Sequence, residues 1–221
     1  MPIGFRIAAE RVRAEQALIE RFAKVPVACI SDSMRRLVAG GARIRPIGPA
    51  KMCGPAFVVK TAPGDNLMVH KALSLAKRGD IVVVDAGGDL TNAIIGERMV
   101  TVAHERGLAG MIINGAIRDA DTLRNHTLPV FAAGITHRGP YKNGPGEINY
   151  PIAIDGMVIE SGDIIVADDD GFVCVPIRDA AEVCTAAESK FEHETNTPPG
   201  SDGKSDDVLR ALGCEFPEEA P

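Results

Sequence analysis

The chain lacks any uninterrupted run of about 20 apolar residues, so neither a membrane-spanning helix nor a membrane partner is expected. It also lacks a basic excess. The 24 Lys and Arg stand against 30 Asp and Glu, a net charge of -6 at pH 7 and a pI near 5.4. Binding a phosphate backbone needs a concentrated basic surface, so no nucleic-acid partner is expected. The five cysteines (Cys29, Cys53, Cys174, Cys184, Cys214) are odd in number, widely spaced and without a Cys-x-x-Cys pair. Neither a disulfide framework nor a zinc site is indicated, and most of them read as small apolar fillers. The first eleven residues have no apolar segment followed by a cleavage site, which points to a soluble cytoplasmic protein. His-Glu-x-x-His, Gly-x-x-x-x-Gly-Lys-Ser/Thr and Gly-x-Ser-x-Gly are all missing, so zinc hydrolysis, nucleotide phosphoryl transfer and serine-elbow chemistry are unsupported. The five histidines (His70, His104, His126, His137, His193) are scattered, and His70 and His104 read as packing or surface residues of helices.

What is present is enough for one well-filled core with a terminal extension: 221 residues, 45% of them hydrophobic. Apolar residues at helical spacing predict helices over 8–23 and 27–38. From Cys53 the texture alternates. Residues 56–61 read as a strand, and Pro63-Gly64-Asp65 as a turn whose Asp can cap a helix over 66–77. A strand follows over 81–85, a helix from about Gly96 to Gly107, a strand over 110–114, a short helix over 119–125 and a strand over 128–132. Such alternation implies an α/β core. Beyond Ile135 the chain is mostly β, over 148–154, 157–159, 164–167 and 172–175. Hairpin-grade turns fall at Asp155-Gly156, Ser161-Gly162-Asp163 and Asp168-Asp169-Asp170-Gly171, the last read as a turn rather than a carboxylate metal cluster. A helix over 178–195 leads into a Pro/Gly/Ser-rich linker over 196–206 and a short helical piece over 207–212. The expected organisation is a single domain over 1–195 and an extension over 196–221.

Two places carry candidate chemistry. The apolar strand from Gly110 passes through Asn114-Gly115-Ala116-Ile117 and releases Arg118 and Asp119 side by side. Arg matches a carboxylate bidentately and Asp is a hard oxygen ligand, so the pair suits an anionic substrate held beside a metal cation. An ion pair or a helix cap is the plainer use of the same residues. The second place is Gly96-Glu97-Arg98-Met99. If a helix begins there, its free N–H groups make an anion site and the bare Gly96 lets a carboxylate approach. Glu97 is either a charge favoured by the helix dipole or a group facing the metal.

These residues and their surroundings resemble the family that contains 4-hydroxy-4-methyl-2-oxoglutarate aldolase, 4-carboxy-4-hydroxy-2-oxoadipate aldolase and the regulator of ribonuclease E activity A. The matching pieces are Pro63-Gly-Asp-Asn66, Gly79-Asp-Ile-Val-Val83, Gly115-Ala-Ile-Arg-Asp119 with Thr122-Leu123, Gly146-Glu-Ile-Asn149, and Asp163 to Gly171 with Val173-Cys-Val-Pro176. His137-Arg-Gly-Pro-Tyr-Lys142 also fits, and the likeness runs in order from about Val27 to Lys190. The resemblance implies an αββα sandwich of the swivelling-domain type, with a mixed central sheet and N- and C-terminal helices. It implies a homotrimer or hexamer with sites between neighbouring subunits.

By the same resemblance, Arg118 contacts a 2-oxo acid substrate and Asp119 holds Mg²⁺ or Mn²⁺ mainly through waters. Gly96, Glu97, Arg98 and Met99 bind a carboxylate, and Glu97 lies near the metal. Glu194, favoured over Glu192, enters a neighbour's site. The implied activity is cleavage of a 4-hydroxy-2-oxo acid to pyruvate with oxaloacetate decarboxylation alongside, since both pass through pyruvate enolate. The alternative is a non-catalytic regulator of ribonuclease E or a helicase, and retention of both Arg118 and Asp119 favours catalysis. The chain departs from the family pattern at Thr122, where an acidic residue is common although Asp121 is adjacent. It departs again after the C-terminal helix, where the linker replaces a Gly- and Tyr-containing segment.

Overall fold

The computed structural model describes residues 2–9, 12–38, 41–198 and 206–216. In chain order the elements are β1 (Phe5–Ile7), α1 (Gln16–Phe22), α2 (Val27–Ser33), β2 (Arg45–Pro46), β3 (Met52–Thr61), α3 (Leu67–Leu75), β4 (Ile81–Asp85), β5 (Ala93–Ile95), α4 (Glu97–Glu105) and β6 (Gly110–Ile117). There follow α5 (Ala120–Arg124), β7 (Val130–Ile135), β8 (Gly146–Ile148), β9 (Ile152–Ile154), β10 (Met157–Ile159), β11 (Ile164–Asp168), β12 (Gly171–Val175), α6 (Ala180–Asn196) and α7 (Asp206–Ala211).

The main sheet runs β1-β8-β3-β4-β6-β7-β2. Its centre, β3-β4-β6-β7, is parallel, whereas β8 on β3 and β2 on β7 are antiparallel, which makes the sheet mixed. The ten residues of β3 serve two sheets: Met52–Pro55 pair antiparallel with β11, and Ala56–Lys60 run parallel to β4. Side chains alternate across the main sheet, as period-2 geometry requires. Val82 and Val84 pack with Met68, Ala72 and Val100 of α3 and α4, while Ile81 and Val83 pack with Ile165 and Phe172 of the β11–β12 hairpin and with Ile152 of β9. The outer face of the β11–β12 hairpin, through Val166 and Val173, packs with Phe22, Ile30 and Cys184 of α1, α2 and α6. The layers are therefore α, β, β, α, and each Ile or Phe sealed between them contributes about 1.5–3 kcal/mol of burial.

Several expected boundaries shift. The helix expected over 8–23 is confined to Gln16–Phe22, because the chain before it pairs as an edge strand, β1 against β8, and Ala8 continues that ladder to Ile148. Glu10 and Arg11 lie outside the described residues. The helix expected over 27–38 stops at Ser33, since Arg35 and Arg36 both sit at φ +60°. The strand expected over 148–154 splits at Asn149, whose φ of +62° turns the chain before Pro151. Asp155-Gly156 does form a hairpin between β9 and β10. Ser161-Gly162-Asp163 does not, because β10 and β11 belong to different ladders. Of the expected linker, 199–205 lie outside the described residues.

Candidate active site

The length of β6 positions the site. All eight of its residues are buried; the first five pair with β4, and beyond Asn114 the short β5 takes over, Ala93 opposite Ala116 and Ile95 opposite Ile117. The strand thus outruns β4 and releases Arg118 and Asp119 beside the start of α4. The Arg118 N–H donates to Ile95 O (3.0 Å), fixing the backbone at that point. Asp119 adopts φ +59°, ψ +36° and begins α5. Left-handed backbone is tolerated by Asp better than by most residues, at a cost of order 1–2 kcal/mol.

From that conformation Asp119 Oδ2 accepts the Glu97 N–H (3.0 Å), one of the open donors at the N-terminus of α4. Asp119 Oδ1 has no partner among the described residues. The Arg118 Nε to Asp119 Oδ2 distance is 3.8 Å, too long for a hydrogen bond, and the two side chains are 44% and 40% exposed. The pair is therefore open, not a buried structural bridge. Two glycines give it room. A Cβ on Gly96 would overlap Asp119 Oδ2 and stand 2.9 Å from Arg118 Cγ, and one on Gly139 would stand 3.2 Å from Arg118 Nη1.

Arg118 and Asp119 open onto a cleft of about 720 Å³. The α4 start lines one wall with Gly96, Glu97, Arg98 and Met99; α3 contributes Asn66 and His70 from its beginning, and Gly139, Pro140 and Lys142 come from the segment after β7. Arg98, Arg106, Arg118 and Lys142 oppose Glu97 and Asp119, so the cleft favours anions. The Glu97 N–H is occupied by Asp119 and the Met99 N–H turns back to Gly96 O, which leaves the Arg98 N–H open in the first turn. Asn66 donates through Nδ2 to Ile94 O (2.9 Å) and Met99 Sδ (3.3 Å). Its Oδ1 is buried without a partner, alone in this among the described residues. A buried acceptor left open beside a cleft calls for a donor from water or ligand. Burial, with the Lys142 charge, lowers the His70 pKa from the usual histidine range.

The expected site residues divide in two. Arg118, Asp119, Gly96, Glu97, Arg98 and Met99 converge on one cleft, with the plainer helix-cap use of Asp119 realised by only one of its two oxygens. Glu194 does not line the cleft of its own chain. It pairs with Lys190 Nζ (2.6 Å) and accepts from Cys29 Sγ (3.3 Å), and the Lys190 bond first, then Cys29, holds its carboxyl below the ordinary range. Burial and Glu194 push the Cys29 thiol up to about 11. Asn66 and Lys142 have no site role in the sequence reading, and His70 reads there as packing or surface; the available signals are the family-matching runs Pro63-Gly64-Asp65-Asn66 and His137 to Lys142. Asp65 does cap, accepting the Leu67 N–H (2.9 Å).

No group of three or more His, Cys, Asp or Glu side chains converges among the described residues. A zinc cage is thus not supplied. A single, partly exposed carboxylate with one oxygen free of partners among the described residues fits Mg²⁺ or Mn²⁺ held mostly by water, the usual habit of a hard, reluctantly dehydrated cation. No helix among the described residues is long and apolar enough to cross a membrane.

Fold and cleft together describe a small α/β domain whose cleft, lined by Arg98, Arg106, Arg118 and Lys142, forms where a strand end meets a helix start. The RraA-like family described as Aldolase/RraA matches residues 27–174, and the chain belongs to it. A relative in Halalkalibacterium halodurans, provisionally named 4-hydroxy-4-methyl-2-oxoglutarate aldolase, is 38% identical over 179 residues, 80% of this chain and 85% of its own. A Thermus thermophilus protein named 4-hydroxy-4-methyl-2-oxoglutarate aldolase is 34% identical over 112 residues, 51% of this chain and 68% of its own. Among solved structures, RraAS2 of Streptomyces coelicolor, described as an unusual member of the RNase ES inhibitor RraA family, superposes with TM-score 0.74 at 27% identity, covering 84% of this chain and 96% of its own.

Proposed function

We propose that the chain is a divalent-metal-dependent carbon-carbon lyase that cleaves a 4-hydroxy-2-oxo acid such as 4-hydroxy-4-methyl-2-oxoglutarate to pyruvate. The observation that carries the reading is Asp119, with one oxygen capping α4 and the other open to a cationic cleft beside Arg118. The aldolase names of two relatives support it. Asp119 Oδ1 would hold Mg²⁺ or Mn²⁺, and Glu97 would help through water. Such an ion, when bound, supplies Lewis-acid neutralisation of charge growing on the 2-oxo oxygen.

The chain's own groups do the rest. The Arg98 N–H and the Arg118 guanidinium bind and orient the oxo-acid end of the substrate. Glu97, or a neighbouring subunit's Glu194, takes the C4 hydroxyl proton directly or through one water. The C3–C4 bond then breaks, its electron pair passes into the pyruvate enolate, and C4 leaves as a carbonyl. Arg118 offsets the enolate charge until C3 is protonated. Because oxaloacetate loses CO₂ to give the same enolate, one site serves both reactions. The chain would act as a homotrimer or hexamer in the cytoplasm. The competing reading is a partner of RNA-processing enzymes, as the names of RraA relatives describe.

A pyruvate-coupled assay over a panel of 2-oxo acids decides between them. Release with Mg²⁺ or Mn²⁺, abolished by EDTA, is expected. Tight binding to a ribonuclease with no turnover of any acid would favour the regulator.

A further inference from the structure

An asparagine followed by glycine is prone to lose its side-chain amide, because glycine has no side chain to keep its own backbone nitrogen from closing on the asparagine Cγ. The chain has two such pairs, Asn114-Gly115 and Asn143-Gly144. Asn114 is 5% exposed inside β6, its Nδ2 donating to Asp85 and its Oδ1 accepting from Arg43, so that amide is shielded from water. Asn143 is exposed in the segment between β7 and β8, one residue beyond Lys142 of the cleft wall, and its side-chain amide has no partner among the described residues. Its backbone is nevertheless fixed. The Asn143 and Gly144 N–H groups both donate to Asp65 Oδ2 (2.5 and 3.0 Å). Asp65 is itself 3% exposed and held by the Leu67 N–H on Oδ1 (2.9 Å). Two residues before Asn143, the Tyr141 N–H donates to Gly64 O (2.8 Å) and Tyr141 O accepts the Asn66 N–H (3.0 Å).

Deamidation begins when the Gly144 nitrogen gives its proton to hydroxide and its electron pair forms a bond to Asn143 Cγ. The Cγ–Nδ2 bond then breaks, and Nδ2 takes a proton from water and leaves as ammonia. Water opens the resulting five-membered imide at either carbonyl, so one water enters, one ammonia departs, and aspartate or isoaspartate is left at that position. Asp65 opposes the first step in two ways. Its carboxylate holds the Gly144 proton in a charge-assisted bond, and it stands 3.0 Å from the nitrogen on which negative charge must develop. Screening by water is weak beside a carboxylate so deeply buried, which makes the like-charge term count.

We propose that Asn143 is a deamidation site and that Asp65, by holding the Gly144 N–H, keeps it in the amide form. The integrity of the cleft wall depends on it. Isoaspartate routes the backbone through the former side-chain carbon, one bond longer, so the Asn143 and Gly144 N–H groups cannot both stay on one oxygen while Tyr141 stays pinned. Lys142 lies between those two anchors and moves when either is lost. Nothing in this inference depends on which reaction the cleft performs.

The test follows Asn143 by peptide mapping and mass spectrometry over days in mildly alkaline buffer, in the full chain and in a synthetic peptide of residues 140–146. Conversion in the wild type should be about ten- to a hundredfold slower than in the peptide, the fold-change that a hydrogen bond to a charged group is worth. Asp65→Asn removes the charge, and Asp65→Ser removes it while keeping an oxygen for the Leu67 N–H. In whichever of these is folded by circular dichroism and Tm, most of the protection should be lost. Hydrogen exchange at the Gly144 amide of the wild type gives a reading that needs no variant, and it should be slowed relative to the peptide by a similar factor. A wild type that deamidates as fast as the peptide, a folded variant as well protected as the wild type, or a Gly144 amide exchanging at the peptide's rate each overturns the proposal. Where neither variant folds, the wild-type conversion rate and the exchange at Gly144 decide.

Discussion

Asp119 at the cleft and Asp163 at the junction of β10 and β11 are both carboxylates that accept backbone N–H groups, and their surroundings differ in every other respect. Asp163 is 6% exposed. Its Oδ1 accepts the Ile177 N–H (3.0 Å), and its Oδ2 accepts the Glu160 N–H (3.0 Å) and the Cys174 thiol (3.7 Å). Both oxygens are consumed in tying the strand start to the chain that leads into α6. Asp119 has one oxygen bonded, the other open, a left-handed backbone and a half-exposed side chain. A carboxylate with its valences filled and water excluded holds a fold together. One left open on a strained backbone, beside a guanidinium 3.8 Å away with no hydrogen-bond partner among the described residues, is the one proposed for chemistry.

The largest effects should separate these two residues. Asp119→Asn keeps a carbonyl oxygen for the Glu97 N–H but removes the charge that a divalent cation needs. Pyruvate release should fall by about 10²–10³-fold while Tm stays close to wild type. Asp163→Ala should do the reverse. With two part-buried N–H groups left without their acceptor, urea titration should show a loss of about 2–4 kcal/mol, and turnover per folded molecule should persist. A destabilised Asp119→Asn protein with normal turnover would make Asp119 a cap like any other.

Gly96→Ala comes next, and it sharpens the contrast by moving Asp119 rather than replacing it. Gly96 has extended backbone, φ −152°, so alanine meets no conformational penalty there; the obstacle is Asp119 Oδ2 and Arg118 Cγ. Displacing both by a fraction of an ångström should cost about tenfold to a hundredfold in turnover with little change in Tm. A fully active Gly96→Ala protein would mean that the close approach of these groups has no part in the reaction.

Half of this cleft was legible in the sequence, and the missing half has a physical explanation. The β6 run is apolar but for Asn114 and is followed by two charges, so a strand tip at Arg118 and Asp119 follows from one segment alone. The helix start at Gly96 follows likewise from a glycine before an amphipathic stretch. Asn66, His70 and Lys142 come from segments joined to that tip only by tertiary folding, and the segment carrying Lys142 is held by Asp65, which accepts the Asn143 N–H from 78 positions away. The αββα layering came from the family resemblance and not from the residues themselves: only 56–61 read as a strand, yet β3 begins at Met52 and its halves pair in different sheets, a division set by partners rather than by period. β1 and β5, three residues each, are too short to show alternation, and nothing in Arg35-Arg36 signals the left-handed turn that ends α2.

The smallest effect is a pH dependence confined to the cleft side of the molecule. Burial holds His70 below the usual histidine range, with Lys142 adding to it; His126 is held low by burial and by His104, whose ring stands edge-on at 5.2 Å, while Glu97 opposes the shift. With the folded-state pKa below the unfolded one, the unfolded chain binds more protons in the interval between them, so stability rises with pH across it. The full stability is present above the ordinary histidine pKa near 6.5 and declines as pH falls through that value toward the folded one. Tm should therefore drop modestly between pH 7.5 and pH 5.5 in dilute buffer. His70→Gln and His126→Gln should each flatten the curve, and the two together more than either. A double variant with a slope as steep as wild type would place the pH response outside the cleft and its rim.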